Sequence, residues 1–402
     1  MMLVGIIGKP NTGKSTFFNA ATLMNVPMAS YPFTTIHPNY GIAYLRKECV
    51  CKKLNVKDNP VNSVCINGVR LIPVKLVDVA GLVPGASQGR GLGNKFLDDL
   101  RQADALIHVV DASGSTDEEG RVCEPGSHDP LKDVEFVERE FNLWLKQILM
   151  KDWQRVARTV EAGAEKLTPM LAQRLSGLSI GEEAIQEAIG KLGLKAEKPT
   201  SWSEEQIDQF VDRLRRSSKP SLIAANKCDL PTSEKNIVRL KETGRLVIPC
   251  ASEAELVLRR AAEKGLIDYI PGDSSFRIKA PEKLTAEQKR VLEFIERKVL
   301  TKWGSTGVQQ AINAAYFQLL QCIVVYPVED ESKLSDKKGN VLPDAKVVRR
   351  GTTARDLAYL IHTDLGDTFL YAVDAVSGVR LGADHILEDG QVIKIVAAGK
   401  RG

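Results

Sequence analysis

No apolar run in the 402 residues approaches the length of a membrane span, so no transmembrane segment and no membrane partner are expected. Nor does a basic stretch followed by an apolar one open the chain, so no secretory signal is expected. Neither sign of charge dominates. The 55 Lys and Arg stand against 51 Asp and Glu, a net charge of +4, which permits a nucleic-acid partner without arguing for one. Cysteine is sparse and odd in number, seven scattered from Cys49 to Cys322. That argues against a disulfide framework and for reduced intracellular thiols. What remains is an ordinary globular composition, 43% hydrophobic and 26% charged, in a chain long enough for two or three domains.

Against that background the stretch Gly8-Lys9-Pro10-Asn11-Thr12-Gly13-Lys14-Ser15-Thr16 organises the rest. The apolar run Leu3-Val4-Gly5-Ile6-Ile7 before it reads as a buried strand, and Phe17–Leu23 after it as a helix. Strand, G-x-x-x-x-G-K-S and helix together make a phosphate-binding loop. Gly8 and Gly13 let the backbone curl so that its N–H groups and the helix N-terminus face phosphate oxygens. Lys14 would reach the β- and γ-phosphates, and the Ser15 hydroxyl would ligate Mg²⁺.

Residues 28–40 carry Pro32 and Pro38 and read as a loop, at the position of a first switch. Such a loop must offer a threonine to Mg²⁺, and Thr34 and Thr35 are both candidates. Val69–Val77 reads as a strand running into Asp78-Val79-Ala80-Gly81. Asp78 would hold Mg²⁺ through a water, and the Gly81 N–H would sense the γ-phosphate. Between these segments Cys49, Cys51, Asp58 and Cys65 either form a small metal knuckle or are plain thiols in a strand-rich excursion. A glycine-dense, mobile stretch over 85–93 follows, then a helix over Asn94–Ala103 and the buried strand Ala105–Asp111. His108 inside that strand reads as a core histidine.

Residues 112–128 are polar and irregular, and apolar residues then recur at helical spacing for about eighty residues, with a capping box at Ser203 and Gln206. The strand Ser221–Ala225 ends in Asn226-Lys227-Cys228-Asp229. The Asp229 carboxylate can accept from guanine N1–H and N2–H₂ together, a pattern adenine does not present. Asn226 would tie this loop to the phosphate loop, and the Lys227 stem would cover the ring. Ala251 and Ser252 lie in the small-residue loop after the last core strand, Leu246–Pro249, where a backbone N–H would meet guanine O6. Beyond Cys322 one helix and several short strands suggest a ubiquitin-like β-grasp module. Its Lys346, Arg349, Arg350 and Arg355 form a basic cluster that is either a solvated face or a contact.

The motifs G-K-P-N-T-G-K-S-T, Y-P-F-T-T-I-x-P-N, D-V-A-G-L-V-P-G-A-S and R-G-L-G-N-K-F-L-D-D-L-R-Q-A-D resemble those of the Obg-related GTPases. The order of G domain, helical insert and TGS module resembles the YchF (Obg-like ATPase) subfamily in its archaeal form. The resemblance covers essentially the whole chain. It implies an α/β fold: a P-loop NTPase G domain, mostly parallel sheet with helices on both faces, over 1–130 and 218–282. A helical insertion over 131–217, a helical linker over 283–320 and a C-terminal β-grasp (TGS) domain over 321–402 complete it. A cytoplasmic nucleotide hydrolase that associates with ribosomes or RNA is the implied function, and a monomer is expected. In bacterial relatives the first switch threonine is often cysteine, which singles out Thr35 as the metal ligand. Those relatives and the eukaryotic ones carry N-x-x-E and favour ATP; here Asp229 argues for GTP and GDP.

The glutamine that orients water in Ras-like enzymes is replaced by Leu82, so intrinsic turnover is slow or another group positions the water. His37 and His128, in segments read as mobile, are two candidates. Asn11 is a third: related glutamine-free GTPases use an asparagine here to help bind K⁺, whereas a purely local role would have Asn11 shape the loop. With Lys14, Thr35 and Gly81 it makes up the expected catalytic set. A nucleotide-gated binding module with incidental hydrolysis is the rival function. A nucleoside-monophosphate-kinase reading fails, because no arginine-rich lid is present.

Overall fold

The computed structural model describes residues 2–23, 40–79, 100–178 and 180–398. Its strands are β1 (Leu3–Ile7), β2 (Tyr40–Glu48), β3 (Val64–Ile66), β4 (Val69–Asp78), β5 (Ala105–Asp111), β6 (Ser221–Asn226) and β7 (Val247–Pro249), then β8 (Ile267–Asp268), β9 (Arg277–Ile278), β10 (Cys322–Val328), β11 (Lys346–Arg349), β12 (Phe369–Asp374), β13 (Arg380–Leu381) and β14 (Val392–Ala397). Two compact units divide the chain. One comprises Met1–Ala20, Asn39–Gly41 and Lys75–Ala311, the other Ala21–Pro38, Ile42–Val74 and Ile312–Gly402.

In the first unit the end of β4, then β1, β5, β6 and β7, lie side by side and all parallel. Strands covered on both faces read as unbroken apolar runs, which is why β1 and β5 are buried at every residue. Because the strands are parallel, the C-terminal end of β4 and the loops that follow β1, β5 and β6 lie at one edge, where such sheets bind ligands. Burial lowers the pKa of His108 on β5 to about 4, so it is a neutral core residue, as expected.

The helical insertion starts at Pro130, where the Asp129 side chain accepts from the Leu131 N–H and proline occupies the first helical position. Its last long helix, Glu204–Ser218, starts at a capping box of Ser203 and Gln206. Between them Phe141, Leu145, Trp153, Leu171, Trp202, Phe210 and Leu214 form one apolar core. Trp202 packs edge-on against Phe210 at 5.2 Å between ring centres.

In the second unit the five-stranded sheet β11-β10-β14-β12-β13 carries the helix Ala354–Ile361, whose Leu357 and Ala358 pack on Ile323, Val325 and Ile393. This is the β-grasp arrangement. A capping box of Thr353 and Asp356 starts its helix. β11 occupies residues the sequence marks only as a basic cluster. Tyr40, read as the end of a loop, is instead the first residue of β2, where Ala43 and Leu45 are buried with the period of two that defines a strand. Residues 42–74 belong to this second unit, although the boundaries read from sequence group them with 1–130. Backbone bonds explain their company: Asn59 N–H donates to Val341 O at 2.9 Å and Val61 N–H to Pro343 O at 2.8 Å.

Candidate functional site

The phosphate loop leaves β1 and enters the helix Lys14–Thr22. Gly13 takes a φ of +88°, and a Cβ there would stand 2.2 Å from Asn226 Nδ2, so only glycine fits. That Asn226 amide donates to Thr12 O at 2.9 Å, while its Oδ1 accepts from the Ser252 N–H at 3.0 Å and from the Ser252 hydroxyl at 2.8 Å. One buried side chain thus joins the phosphate loop, the Asn226–Asp229 loop and the start of the helix Ser252–Glu263.

Lys14 forms an ion pair with Asp78, the last residue of β4, which lies opposite Ile6 of β1. Ser15 follows in the first turn of the helix. These residues and Gly8–Thr16 share the edge of the sheet with Asn226, Lys227 and Asp229. Thr34, Thr35, His37, Gly81, Leu82 and the glycine-dense stretch over 85–93 lie outside the described residues.

Lys9, the amides of Ala251 and Ser252, and His128 are all engaged within the protein. Lys9 does not turn its ammonium toward the loop's mouth. It is buried and donates to Thr116 O at 2.9 Å, Asp117 O at 2.7 Å and Asp133 at 2.8 Å, so only its backbone is left for phosphate. The Ala251 N–H is already engaged with Thr306 O at 2.9 Å, and the Ser252 N–H with Asn226. Both amides are therefore engaged within the protein. His128 is not in a mobile segment. Its Nε2 meets Asp133 at 2.7 Å, and residues 112–128 are laced by backbone bonds such as Gly126 N–H to Ser113 O at 2.8 Å.

That irregular segment is the part sequence reasoning missed. Asp111, at the end of β5, accepts from the Ser113 N–H at 3.0 Å and the Ser115 hydroxyl at 2.8 Å. It also takes Lys227 Nζ at 2.8 Å. Burial acts to raise its pKa, but the bonds from Lys227, Ser113 and Ser115 outweigh it and hold the carboxyl below its ordinary range. Asn11, at a φ of +62°, donates from Nδ2 to Gly120 O at 2.8 Å. A second missed brace is the turn 303–307. Trp303 Nε1 donates to Cys228 O at 3.2 Å, and a Cβ on Gly307 would come 1.8 Å from Pro249 O. The paired glycines of Lys302-Trp303-Gly304-Ser305-Thr306-Gly307 were its only sequence signal.

A parallel sheet whose first strand feeds a G-x-x-x-x-G-K-S loop, tied by an asparagine to an N-K-x-D loop, defines a P-loop GTPase G domain, here in one chain with a TGS module. The chain is 52% identical, over the whole of both sequences, to an uncharacterised GTP-binding protein of Methanocaldococcus jannaschii. It belongs to the YchF/Obg-like GTPase family. An uncharacterised GTP-binding protein of Schizosaccharomyces pombe is 36% identical over 90% of each chain. The ribosome-binding ATPase YchF of Bacillus subtilis is 29% identical over 98% of each. Models of a 50S ribosome-binding GTPase, of the G4 motif-containing domain of YGR210-like Obg-like GTPases, and of the TGS domain match residues 3–139, 224–330 and 338–397. Among solved structures a GTP-binding protein of Pyrococcus horikoshii superposes with a TM-score of 0.77 at 42% identity, covering 99% of this chain and all of that one. No helix among the described residues is long and apolar enough to cross a membrane.

Proposed function

We propose that this chain binds GTP and GDP in preference to adenine nucleotides and hydrolyses GTP slowly, as a switch on the ribosome or its RNA in the cytoplasm. The observation that carries the reading is the Asn226–Asp229 loop, braced by Asn226 on Thr12 and by Trp303 on Cys228. A carboxylate held there discriminates by what the wrong base leaves unpaired. The relatives with a GTP-binding name include the one at 52% identity, and the relatives named as ribosome-binding supply the partner.

In hydrolysis water attacks the γ-phosphorus and the β-γ bridging oxygen leaves, giving GDP and phosphate. The backbone amides of Gly8–Ser15 fix the phosphates in line, and Lys14 exchanges Asp78 for β- and γ-oxygens. Ser15 and Asp78, with Thr35, offer the hard oxygen ligands that Mg²⁺ takes, and the nearness of Asp78 to Lys14 fits them to a shared phosphate site. Bound there, the ion neutralises charge on the phosphate oxygens. Gly81 senses the γ-phosphate, Leu82 gives the water no hydrogen bond, and Asn11 supplies K⁺ with an amide oxygen. Slow turnover follows.

Competition between GTP and ATP for purified protein tests the base choice. The expected preference is at least about tenfold, or 1.4 kcal/mol, and Asp229→Glu erodes it. Equal affinities would overturn it. Single-turnover hydrolysis with and without ribosomes tests the switch: acceleration by ribosomes supports it, and an unchanged rate leaves a binding module whose hydrolysis is incidental.

A further inference from the structure

Three of the seven cysteines meet one carboxylate in the second unit, between the two switch segments in sequence. Cys49 follows β2, Cys51 sits in the first turn of the helix Val50–Leu54, Asp58 lies in the loop beyond it and Cys65 is on β3. The four ligand atoms all lie within 4.8 Å of one another. Cys49 Sγ is 3.3 Å from Asp58 Oδ2, and Cys51 Sγ is 3.9 Å from Cys65 Sγ. A tetrahedral ion with Zn–S of about 2.3 Å and Zn–O of about 2.1 Å requires ligand separations of roughly 3.5–3.8 Å. A disulfide would need about 2.05 Å.

The surroundings are built for the charge. Arg70 is fully buried, donates from Nη1 to Asp58 Oδ2 at 2.7 Å and from Nη2 to Leu342 O. Three thiolates and a carboxylate around a divalent ion carry a net charge of about −2, and a buried guanidinium on the carboxylate compensates half of it while fixing its orientation. The backbone is set as well. Cys49 N–H donates to Gly68 O at 2.9 Å, Val56 N–H to Cys51 O at 3.0 Å, and Asn55 takes the left-handed conformation that turns the knuckle. Cys49 and Cys51 are buried, and Cys65 and Asp58 half-buried, so the site is closed as structural sites are.

We propose that Cys49, Cys51, Asp58 and Cys65 bind one Zn²⁺ ion, a structural site that pins β2, the helix Val50–Leu54 and β3 together. Soft thiolates in a tetrahedral set select zinc over Mg²⁺ or Ca²⁺, which want six or more oxygens.

The full chain, purified without chelator, is expected to carry about one zinc per molecule by elemental mass spectrometry. Cys65→Ser and Asp58→Ala should each lose most of it while keeping the wild-type far-ultraviolet spectrum. Because a ligand variant can misfold, a second arm uses the wild-type protein. After the metal is stripped, Co²⁺ should produce a thiolate charge-transfer band and the d–d bands of tetrahedral cobalt, and Zn²⁺ should abolish both. Zn²⁺ should also slow alkylation of Cys65 at least about tenfold, with Cys123, equally half-buried and outside the cluster, unaffected. Zinc retained by both ligand variants, absence of the cobalt spectrum, or a Cys51–Cys65 disulfide in the non-reduced peptide map would each overturn the proposal.

Discussion

Asn226 donates to the carbonyl of Thr12 at 2.9 Å across 214 positions of sequence. Both ends of its amide are used, so the loop that reads the base and the loop that holds phosphate are one hydrogen-bonded unit. Asn226→Ala leaves the Thr12 carbonyl and the Ser252 N–H unpaired in a buried setting, at a cost of about 1–3 kcal/mol each. Calorimetric titration with GDP should show at least about a tenfold loss of affinity, the equivalent of 1.4 kcal/mol. Wild-type affinity in that variant would mean the two loops are positioned independently.

The Lys9–Asp133 pair is buried on both sides, with side-chain exposures of 3% and 6%. Burial pushes the Asp133 carboxyl up, against the pull of Lys9 and His128. Lys9→Met leaves that buried carboxyl with His128 alone and is expected to cost about 3–5 kcal/mol of stability. Adding Asp133→Leu should restore part of the loss, because the stranded charge goes with it. Urea unfolding of the two single variants and the double checks this; strictly additive losses would show no coupling.

His108 sets a pH dependence. Its folded pKa of about 4 lies below the ordinary 6.5, so the unfolded chain takes up a proton that the native state refuses. Stability must therefore fall as pH drops through 6.5 and level off only near 4. Between about pH 7 and pH 5 this one residue contributes a loss of about 2 kcal/mol. His108→Leu should flatten the stability profile by that amount, and unfolding curves at the two pH values measure it. Equal slopes for wild type and variant would assign the acid sensitivity elsewhere.

Much of this was legible in the sequence, for reasons that are physical. β1, β5 and β6 are buried on both faces and so read as apolar runs; the capping box at Ser203 is local chemistry. What escaped was non-local. The carbonyls of Thr116, Asp117 and Gly120 that receive Lys9 and Asn11 belong to an irregular segment with no periodicity. Nothing near Ala251 announces that its N–H meets Thr306 O, since that bond spans the whole linker helix. The four residues of the cysteine cluster were named together as a candidate knuckle, but their spacing left plain thiols as the alternative; only the fold shows their ligand atoms within 4.8 Å of one another.

The proposed ribosome contact is better tested by substitution than by truncation. Removing residues 322–402 would take away Leu342 O and leave the Arg70 guanidinium, fully buried here, without that acceptor. Loss of function after such a cut would not isolate a docking surface. Arg350 and Arg355 are exposed on the β-grasp unit and leave that core intact. Arg350→Glu with Arg355→Glu should reduce co-sedimentation with ribosomes several-fold, roughly the effect of two lost phosphate contacts. Nucleotide affinity should not change. Unaltered co-sedimentation at low salt would place the contact outside this basic cluster.

Asn11 makes the last prediction. Its Nδ2 is committed to Gly120 O at 2.8 Å, and that bond holds a residue whose φ of +62° asparagine tolerates better than most. Loop shaping accounts for the nitrogen. That bond leaves the amide oxygen, and the proposed function gives it a monovalent cation beside the phosphates. Such a cation would supply the positive charge that an arginine finger supplies elsewhere, in a site where Leu82 offers no polar group. K⁺ should therefore accelerate hydrolysis of saturating Mg²⁺·GTP over Na⁺ at equal ionic strength. Asn11→Ala should remove that difference. Equal turnover in K⁺ and Na⁺, with ribosomes present as well as absent, would leave Asn11 with its structural bond alone.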